Sequence, residues 1–316
     1  MGWRSRTVVP KGWLAVRVWP DRICVAQVAT MSGEKPCVTL CRMRNIEGAG
    51  GAAGILKSLA REISASRHQV LCLLNTGEYQ FLLVEAPNVP ANELRSAVRW
   101  RIKDQLDYLV DAATLDVLPV PSDRSTPTRA ANLYVVTAQN TLIAERQLLL
   151  EDARFPLSVI DIPELAQRNL AALLEEPERG LALLSFDASG GLLTFTCNGE
   201  LYLARRTDVS LQQILTKNPD QQTRMFDRLA LDVQRTIDHF DRQFRSIALS
   251  RLVLSLLPPE CGLEAHLVNN LSLPVMTASM DVFFDLSGVV ELPELSTVEQ
   301  QAECLLTLGA ALRAAG

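Results

Sequence analysis

Aromatic residues are scarce in this sequence, at 5% of 316 residues, and basic residues do not outnumber acidic ones. The formal net charge of −5 argues against nucleic acid as the main ligand, because phosphate binding needs a concentrated basic surface. No uninterrupted apolar run reaches the roughly 18 residues of a membrane span, and residues 1–11 lack the apolar core of a signal peptide. We therefore expect a cytoplasmic protein whose association with a membrane depends on its partners.

The seven cysteines are scattered through the chain, and their odd number is typical of reduced thiols in the cytoplasm. Cys37 and Cys41 form the one close pair, with no histidine or second cysteine pair nearby in the sequence. A closed zinc site needs four ligands, so this pair favours small core residues over a metal site. The three histidines are isolated, and no nucleophile motif such as G-x-S-x-G occurs. We predict no metal site and no catalytic residue.

The opening of the chain has the pattern of a three-stranded meander followed by a helix and a further strand. Short segments rich in β-branched residues are separated by Pro-Asp and Ser-Gly turns. Apolar residues at a spacing of four between positions 55 and 63 predict an amphipathic helix. The predicted strands are 12–18, 22–30, 36–43 and 69–75.

The second half of the chain repeats this meander. Its predicted strands are 180–187, 191–197 and 200–206. The last two are joined by Asn198-Gly199, which is a strong signal for a two-residue hairpin. A long amphipathic helix follows at about 222–247, where apolar residues step by three and four.

A βββα unit thus occurs twice, and an α/β segment interrupts the first half. This layout is that of the actin-like architecture, which includes the ribonuclease H-like and sugar kinase folds. We predict a two-lobed α/β fold with a first lobe at 1–178, an α/β subdomain inserted in it at about 76–162, and a second lobe at 179–316. The last predicted helix, 297–314, is a candidate to pack back on the first lobe.

Residues 79–121 resemble the MshI proteins of MSHA pilus biogenesis, which are relatives of the PilM-type pilus assembly proteins. The segments that carry the resemblance are Val84-Glu85-Ala86-Pro87, Val89-Pro90, Arg99-Trp100, Lys103-Asp104 and the ending Leu308 to Arg313. The resemblance covers nearly the whole chain and is most specific in the inserted segment. It implies an actin-like fold and a place in the inner-membrane assembly platform of a type IV pilus.

The resemblance also implies a nucleotide site, and the first phosphate loop of that site departs from the family pattern. The family has Asp-x-Gly at the end of the first strand, where this chain has Arg17-Val18-Trp19. Arg17 replaces the carboxylate that would order a magnesium shell, although it could contact phosphate. Trp19 replaces the glycine and would obstruct the approach of phosphate to the backbone. Asp21 could substitute for the lost carboxylate only if the loop were rearranged.

The second phosphate loop is better preserved. Asp187, Ser189, Gly190 and Gly191 match it, and they are the candidate residues for binding a cofactor. The alternative interpretation, which we favour, is a type I′ or II′ hairpin with Asp187 as a turn former, whose replacement by alanine would cost about 1 kcal/mol or less.

The family's adenosine loop has a Gly-Gly pair after a late strand, where this chain has residues 255–259, Ser-Leu-Leu-Pro-Pro. Prolines lack the N–H groups that such a loop would use. We therefore expect no bound cofactor and no ATP hydrolysis. Weak binding of ATP with Mg²⁺ is left open.

A partner surface is predicted on a helix at 91–109. Its apolar stripe consists of Leu94, Val98, Ile102, Leu106 and Leu109. At about 100° per residue, Trp100 lies nearly opposite this stripe and close to Lys103. A large aromatic side chain there is either covered by another lobe or offered to a partner. In PilM-like proteins a PilN-like tail binds near this part of the fold, so Trp100, Arg99 and Lys103 are the candidate partner-binding residues.

The sequence therefore predicts a nonenzymatic adaptor that links a PilN-like inner-membrane protein to the assembly machinery, with the pilus motor ATPase as a candidate second partner. It would be cytoplasmic and peripheral to the inner membrane. One alternative is an active actin-like ATPase or sugar kinase, which the second loop supports and the first loop opposes. Another is the cytoplasmic part of a type II secretion platform protein, which shares the fold but normally continues into a membrane helix.

Overall fold

A computed structural model describes residues 12–30, 34–47, 50–121, 131–287 and 293–314. Residues 1–11, for which the sequence predicts no signal peptide, lie outside the described residues. The elements of the first half up to the insertion are β1 (Trp13–Val18), β2 (Arg22–Ala29), β3 (Cys37–Asn45), α1 (Gly51–Glu62) and β4 (Gln69–Leu73). The predicted βββαβ order is thus present. Helix α1 connects β3 to β4, and β4 pairs with β1 in parallel.

The inserted subdomain is a small antiparallel sheet with one helix. Its elements are β5 (Gln80–Glu85), α2 (Leu94–Ile102), β6 (Ala113–Pro119) and β7 (Asn132–Gln139), and the strand order is β5-β7-β6. The subdomain has its own apolar core, because Val98 and Ile102 of α2 pack on Val84 and Val135 of the sheet.

The chain then returns to the first lobe through α3 (Asn140–Asp152), β8 (Leu157–Asp161) and α4 (Pro163–Ala172). β8 pairs with β4 in parallel, so that the first sheet has the order β3-β2-β1-β4-β8. The end of α3 packs in the core between α1 and this sheet. The separate three-stranded sheet therefore spans only 80–139, which is narrower than the predicted insertion at 76–162. The predicted insertion included α3 and β8, because contacts with elements that are distant in the sequence leave no local pattern that would assign them to the first lobe.

The second half of the chain repeats the arrangement of the first sheet. Its elements are β9 (Gly180–Asp187), β10 (Gly190–Cys197), β11 (Glu200–Thr207), α5 (Leu211–Ile214), α6 (Pro219–Gln243), β12 (Leu249–Ser255), α7 (Leu263–Asn270), β13 (Val275–Ala278), α8 (Met280–Phe283) and α9 (Val298–Ala311). The strand order β11-β10-β9-β12-β13 is the same meander plus two parallel strands. Asn198 and Gly199 both have positive φ, at 53° and 73°, as the predicted two-residue hairpin requires.

The two lobes exchange helices. α9 packs on strands of the first sheet, whereas α4 packs on β9, β10 and β11 of the second sheet. Gln167 of α4 inserts between strands there, where its side-chain amide donates to the carbonyl oxygens of Leu183 and Leu192 at 2.8 and 2.9 Å. The two helices also cross each other, and Asn169 of α4 donates to the carbonyl oxygen of Gly309 in α9 at 3.0 Å. The cores of the lobes are therefore continuous through this helix pair.

None of the helices that the structure describes combines the length and the apolar character needed to cross a bilayer. The longest, α6, has 25 residues and buries an apolar face that includes Phe226, Val233 and Phe240. Its opposite flank carries charged residues, as expected for a helix that packs on a sheet in water.

The helix crossing predicts opposite effects for two Gly→Ala substitutions. A Cβ atom at Gly309 would lie 2.5 Å from the carbonyl oxygen of Ala166 and 2.8 Å from Leu170, whereas a Cβ atom at Gly54 in α1 meets nothing within 4 Å. We expect Gly309→Ala to lower the free energy of unfolding by about 1 to 3 kcal/mol, because overpacking outweighs the gain in helix propensity. The control Gly54→Ala should raise it by about 0.5 to 1 kcal/mol. Urea denaturation measures both, and equal changes would contradict the close crossing.

Candidate functional site

The cleft between the lobes is lined by the ends of the first strand of each sheet. Along β1, Trp13 and Ala15 point into the core shared with α9 and the second sheet, whereas Leu14 and Val16 point into the core beneath α1. Arg17 continues the first row, because side chains alternate along a strand. Its side chain therefore points across the cleft, and it is only 1% exposed.

Arg17 makes polar contacts on both sides of the cleft. Its Nε donates to Oδ1 of Asn75 in the first lobe at 3.0 Å, and its Nη2 forms an ion pair with Oδ2 of Asp187 in the second lobe at 3.5 Å. Burial lowers the pKa of Arg17, and the Asp187 carboxylate partly offsets this shift. The guanidinium thus lies between the two places where the phosphate loops were predicted, and its partner is Asp187.

The first lobe orients Asn75 through further hydrogen bonds. The side-chain amide of Asn75 donates to the carbonyl oxygen of Val18 at 2.6 Å and to Oε1 of Glu78 at 3.1 Å. The backbone N–H of Asn75 donates to the other carboxylate oxygen of Glu78 at 2.9 Å, and Glu78 pairs with Arg146 of α3. These contacts leave Oδ1 of Asn75 directed at Arg17, so the cation is held by a preorganised acceptor.

The first loop closes on itself around Trp19. The Trp19 ring is close to two guanidinium groups, with its centroid 4.4 Å from Cζ of Arg17 and 5.1 Å from Cζ of Arg22. The backbone N–H of Trp19 donates to the carbonyl oxygen of Arg22 at 2.8 Å, and the Arg22 side chain pairs with Glu303 of α9 at 3.2 Å. Asp21 is 67% exposed and pairs with Arg22, so it points to solvent and does not replace the lost carboxylate.

The second loop is a two-residue connection between β9 and β10, in which Asp187 Oδ1 accepts a hydrogen bond from the Ser189 N–H at 2.7 Å. Neither Ala188 nor Ser189 has positive φ. The prediction of a type I′ or II′ turn is therefore wrong, because both types need positive φ at the first central residue. The role of Asp187 as a turn former agrees with its contact to Ser189, but its second oxygen pairs with Arg17.

The glycines after this turn are needed for packing on β11. A Cβ atom at Gly190 would lie 2.3 Å from the carbonyl oxygen of Thr207, and φ there is +140°. A Cβ atom at Gly191 would lie 2.5 Å from the Thr207 side chain and 2.9 Å from Phe186. Both glycines are explained without a ligand, since the neighbouring strand leaves no space for a side chain.

The region that corresponds to the adenosine loop is apolar and internally bonded. Leu256 has φ of +48°, a left-handed conformation that favours glycine, and its N–H donates to the carbonyl oxygen of Ala278 at 2.9 Å. Leu256 and Leu257 are both buried. A cavity of about 420 Å³ lies beside them, with Cys261, Leu263 and Val298 among its lining residues.

A second polar cluster bridges the cleft and was not predicted from the sequence. Arg206 of β11 donates to Oε1 of the buried Glu164 in α4 at 2.8 Å and to Oγ1 of Thr76 at 2.8 Å. Tyr79 donates to Glu164 and accepts a hydrogen bond from Arg206 at 2.7 Å. Burial and the Glu164 carboxylate raise the pKa of Tyr79. These residues come from three separate parts of the chain, so no local pattern could have brought them together.

The candidate partner residues lie together on the inserted subdomain. Trp100 is 68% exposed, so another lobe does not cover it, and Lys103 Nζ lies 5.8 Å from the centroid of its ring. Arg99 donates to the carbonyl oxygen of Val110 at 2.6 Å, which places Leu109 beside the helix. Leu109 is 80% exposed. We call Arg99, Trp100, Lys103 and Leu109 the Trp100 surface.

The predicted helix at 91–109 is wrong in its extent. α2 ends at Ile102, a short 3-10 turn follows, and Leu106 is extended with φ of −91° and ψ of 143°. Leu106 reaches the small core of the insertion in this conformation, and the bond from Arg99 to Val110 stabilises the following turn. Leu109 is consequently not part of the buried stripe.

No family model and no curated protein matches the sequence. Among solved structures, the fold is similar to a chain of a PilM-PilN type IV pilus biogenesis complex, with a TM-score of 0.69 over 96% of this chain and 98% of that chain at 18% identity. It is also similar to the cytoplasmic domain of EpsL, an inner membrane component of the type II secretion system of Vibrio cholerae. That match has a TM-score of 0.50, covers 97% of each chain and has 16% identity. The predicted actin-like fold class is confirmed.

Because Asp187 pairs with a buried cation, the removal of its carboxylate should cost more stability than the loss of a turn residue. We expect Asp187→Ala to lower the free energy of unfolding by about 2 to 3 kcal/mol, more than a turn residue costs, because Arg17 is left buried without its counter-charge. The matched control is Asp21→Ala, which removes an exposed pair and should cost about 1 kcal/mol or less.

The double variant Arg17→Met/Asp187→Ala should recover most of the loss of Asp187→Ala, because it removes both charges and keeps apolar volume at position 17. Chemical denaturation of the parent protein, the single variants Arg17→Met and Asp187→Ala, and the double variant gives this cycle. Additive losses in the double variant would contradict the pairing.

Proposed function

We propose that this protein is a nonenzymatic cytoplasmic adaptor in the assembly platform of a type IV pilus. The observation that carries the proposal is the buried Arg17 side chain, which joins the two loops that the sequence analysis identified as the candidate phosphate loops. Arg17 is bonded to Asn75 and Asp187, so a nucleotide would have to displace a buried ion pair before it could bind.

The backbone donors of both loops support this proposal. Phosphate loops bind their ligand through free N–H groups. In this chain the Trp19 N–H is bonded to Arg22, and the Ser189 N–H is bonded to Asp187. The Asp187 carboxylate neutralises Arg17 and is not free to order a magnesium shell. The cleft thus holds the lobes together through internal contacts of the kind that a bound nucleotide would otherwise supply.

The adaptor role is supported by the similarity to the PilM chain of a PilM-PilN complex and to the cytoplasmic domain of EpsL. We propose a PilN-like inner-membrane protein as the partner, with the pilus motor ATPase as a second one. The protein would then be peripheral to the inner membrane through these contacts. The assignment to the MSHA type of pilus rests on the resemblance of residues 79–121 to MshI proteins.

The Trp100 surface is the proposed contact for the partner's cytoplasmic tail. It combines an exposed indole and an exposed leucine with the charged side chains of Arg99 and Lys103. Aromatic and arginine side chains are the residue types that most often dominate binding energy at protein interfaces. An exposed apolar pair on a small subdomain with its own core offers such a contact without loss of stability.

The nucleotide proposal predicts that ATP with Mg²⁺ is not hydrolysed and leaves the melting temperature unchanged, because a ligand that binds the folded state raises that temperature by mass action. Thermal melting with and without millimolar ATP, together with a phosphate-release assay, measures both properties. A rise of several degrees at submillimolar ATP, or turnover that Asp187→Ala abolishes, would favour the active ATPase instead.

The surface proposal predicts that Trp100→Ala leaves melting nearly unchanged and weakens capture of a PilN-like cytoplasmic tail by about 2 kcal/mol or more. Leu148→Ala is the matched control, because Leu148 on α3 is also largely exposed but lies outside the Trp100 surface. Val98→Ala, on the buried face of the same helix, should lower stability by about 2 kcal/mol and affect binding only through that loss. Equal capture by Trp100→Ala and the parent protein would rule out this surface.

A further inference from the structure

Three cysteines from distant parts of the sequence meet in the core of the first lobe. Cys24 lies on β2, Cys41 on β3 and Cys304 on α9, and all three are fully buried. Their sulfur atoms all lie within 4.8 Å of one another, and the sulfurs of Cys24 and Cys304 are 3.8 Å apart. The fold therefore gathers three potential metal ligands that the sequence separates widely.

The fold brings these sulfurs together in two steps. Cys41 is paired with Ala26 in the antiparallel register of β2 and β3, so Cys24 lies diagonally across from it on the same face of the sheet. Helix α9 then packs on that face and adds Cys304. Cys37, which the sequence analysis considered together with Cys41, is not part of the cluster.

The size of the sulfur triangle suits a thiolate-bound cation. If the edges lie between 3.8 and 4.8 Å, the centre of the triangle is about 2.2 to 2.8 Å from each sulfur. The usual distance between zinc and a cysteine sulfur, about 2.3 Å, falls in this range. Small inward rotations of the side chains would bring all three sulfurs to bonding distance.

A buried hydroxyl group lies close to the cluster. Thr307 lies one turn after Cys304, is fully buried, and its hydroxyl oxygen has no hydrogen-bond partner among the residues that the structure describes. A cation bound by the thiolates would give this buried oxygen a partner, because the oxygen could coordinate the cation or lie beside it as a polar neighbour.

We propose that Cys24, Cys41 and Cys304 bind one thiophilic cation, either Cu⁺ held by the three sulfurs or Zn²⁺ with the Thr307 hydroxyl as its fourth ligand, which ties α9 to the first sheet. Thiolate sulfurs are the ligands that select these ions, and binding would release the protons of the coordinating thiols. The site lies in a sealed core, so the metal would enter as the protein folds. It would act by holding α9 on the first lobe and not by chemistry at the interlobe cleft.

The test is the metal content of the full-length protein purified without a histidine tag. Elemental analysis by mass spectrometry should find a stoichiometric amount of zinc or copper, and the element found identifies the ion. Cys304→Ser should lose this metal. Cys72→Ser is the matched control and should keep it, because Cys72 is also a buried thiol of the first lobe but lies on the other face of the sheet.

A second measurement tests the proposal even when the metal is lost during purification or the serine variant folds poorly. The protein is unfolded in the presence of a chelator and refolded without it. Its melting temperature is then measured with added Zn²⁺, or with Cu⁺ under reducing conditions. The parent protein and Cys72→Ser should melt at a higher temperature with the metal, whereas Cys304→Ala, which keeps the site apolar, should not respond. Parent protein that contains no stoichiometric metal and gains no stability from either ion on refolding would overturn the proposal and leave the three thiols as core packing.

Discussion

The charge of Arg17 constrains the whole cleft. A guanidinium that is removed from water must be paired and hydrogen-bonded, since the cost of an uncompensated buried charge is several kcal/mol. Here the acceptors come from opposite lobes, Asn75 from the first and Asp187 from the second. Arg17 thus adds a polar link between the two sheets to the packing of α4 and α9. The ordered loop around Trp19 and the bonds from Glu78 to Asn75 both follow from the need to hold this cation in place.

A second constraint is the similarity of the two halves. Each sheet is a meander followed by two parallel strands, so each presents the end of its first strand to the cleft. In this chain those ends carry Arg17 and Asp187, whose ion pair joins the two sheets. The symmetry of the two halves thus places these oppositely charged side chains opposite each other.

Local patterns predicted most of the framework. The strands of both meanders and the Asn198-Gly199 hairpin depend on residues close in sequence, so periodicity and turn chemistry were sufficient to find them. The end of α2 was missed because Leu106 joins its core in an extended form that the helical spacing of the apolar residues conceals. Asp187 was a candidate site residue and Arg17 was identified as a departure in the first loop, but their pairing spans 170 positions and depends on how the lobes meet. The Arg206 cluster and the three-cysteine cluster were missed for the same reason.

The exchange of α4 and α9 bears on how the molecule is made. α9 covers part of the first sheet but is translated after every strand of the second sheet, and α4 is translated before the sheet on which it packs. Domains usually fold as units while they emerge from the ribosome. In this protein the first sheet is not covered by its last helix until residues 298–311 have been synthesised. A nascent chain would therefore expose apolar surface until late in its synthesis, and it would depend on chaperones for longer than a protein of two independent domains.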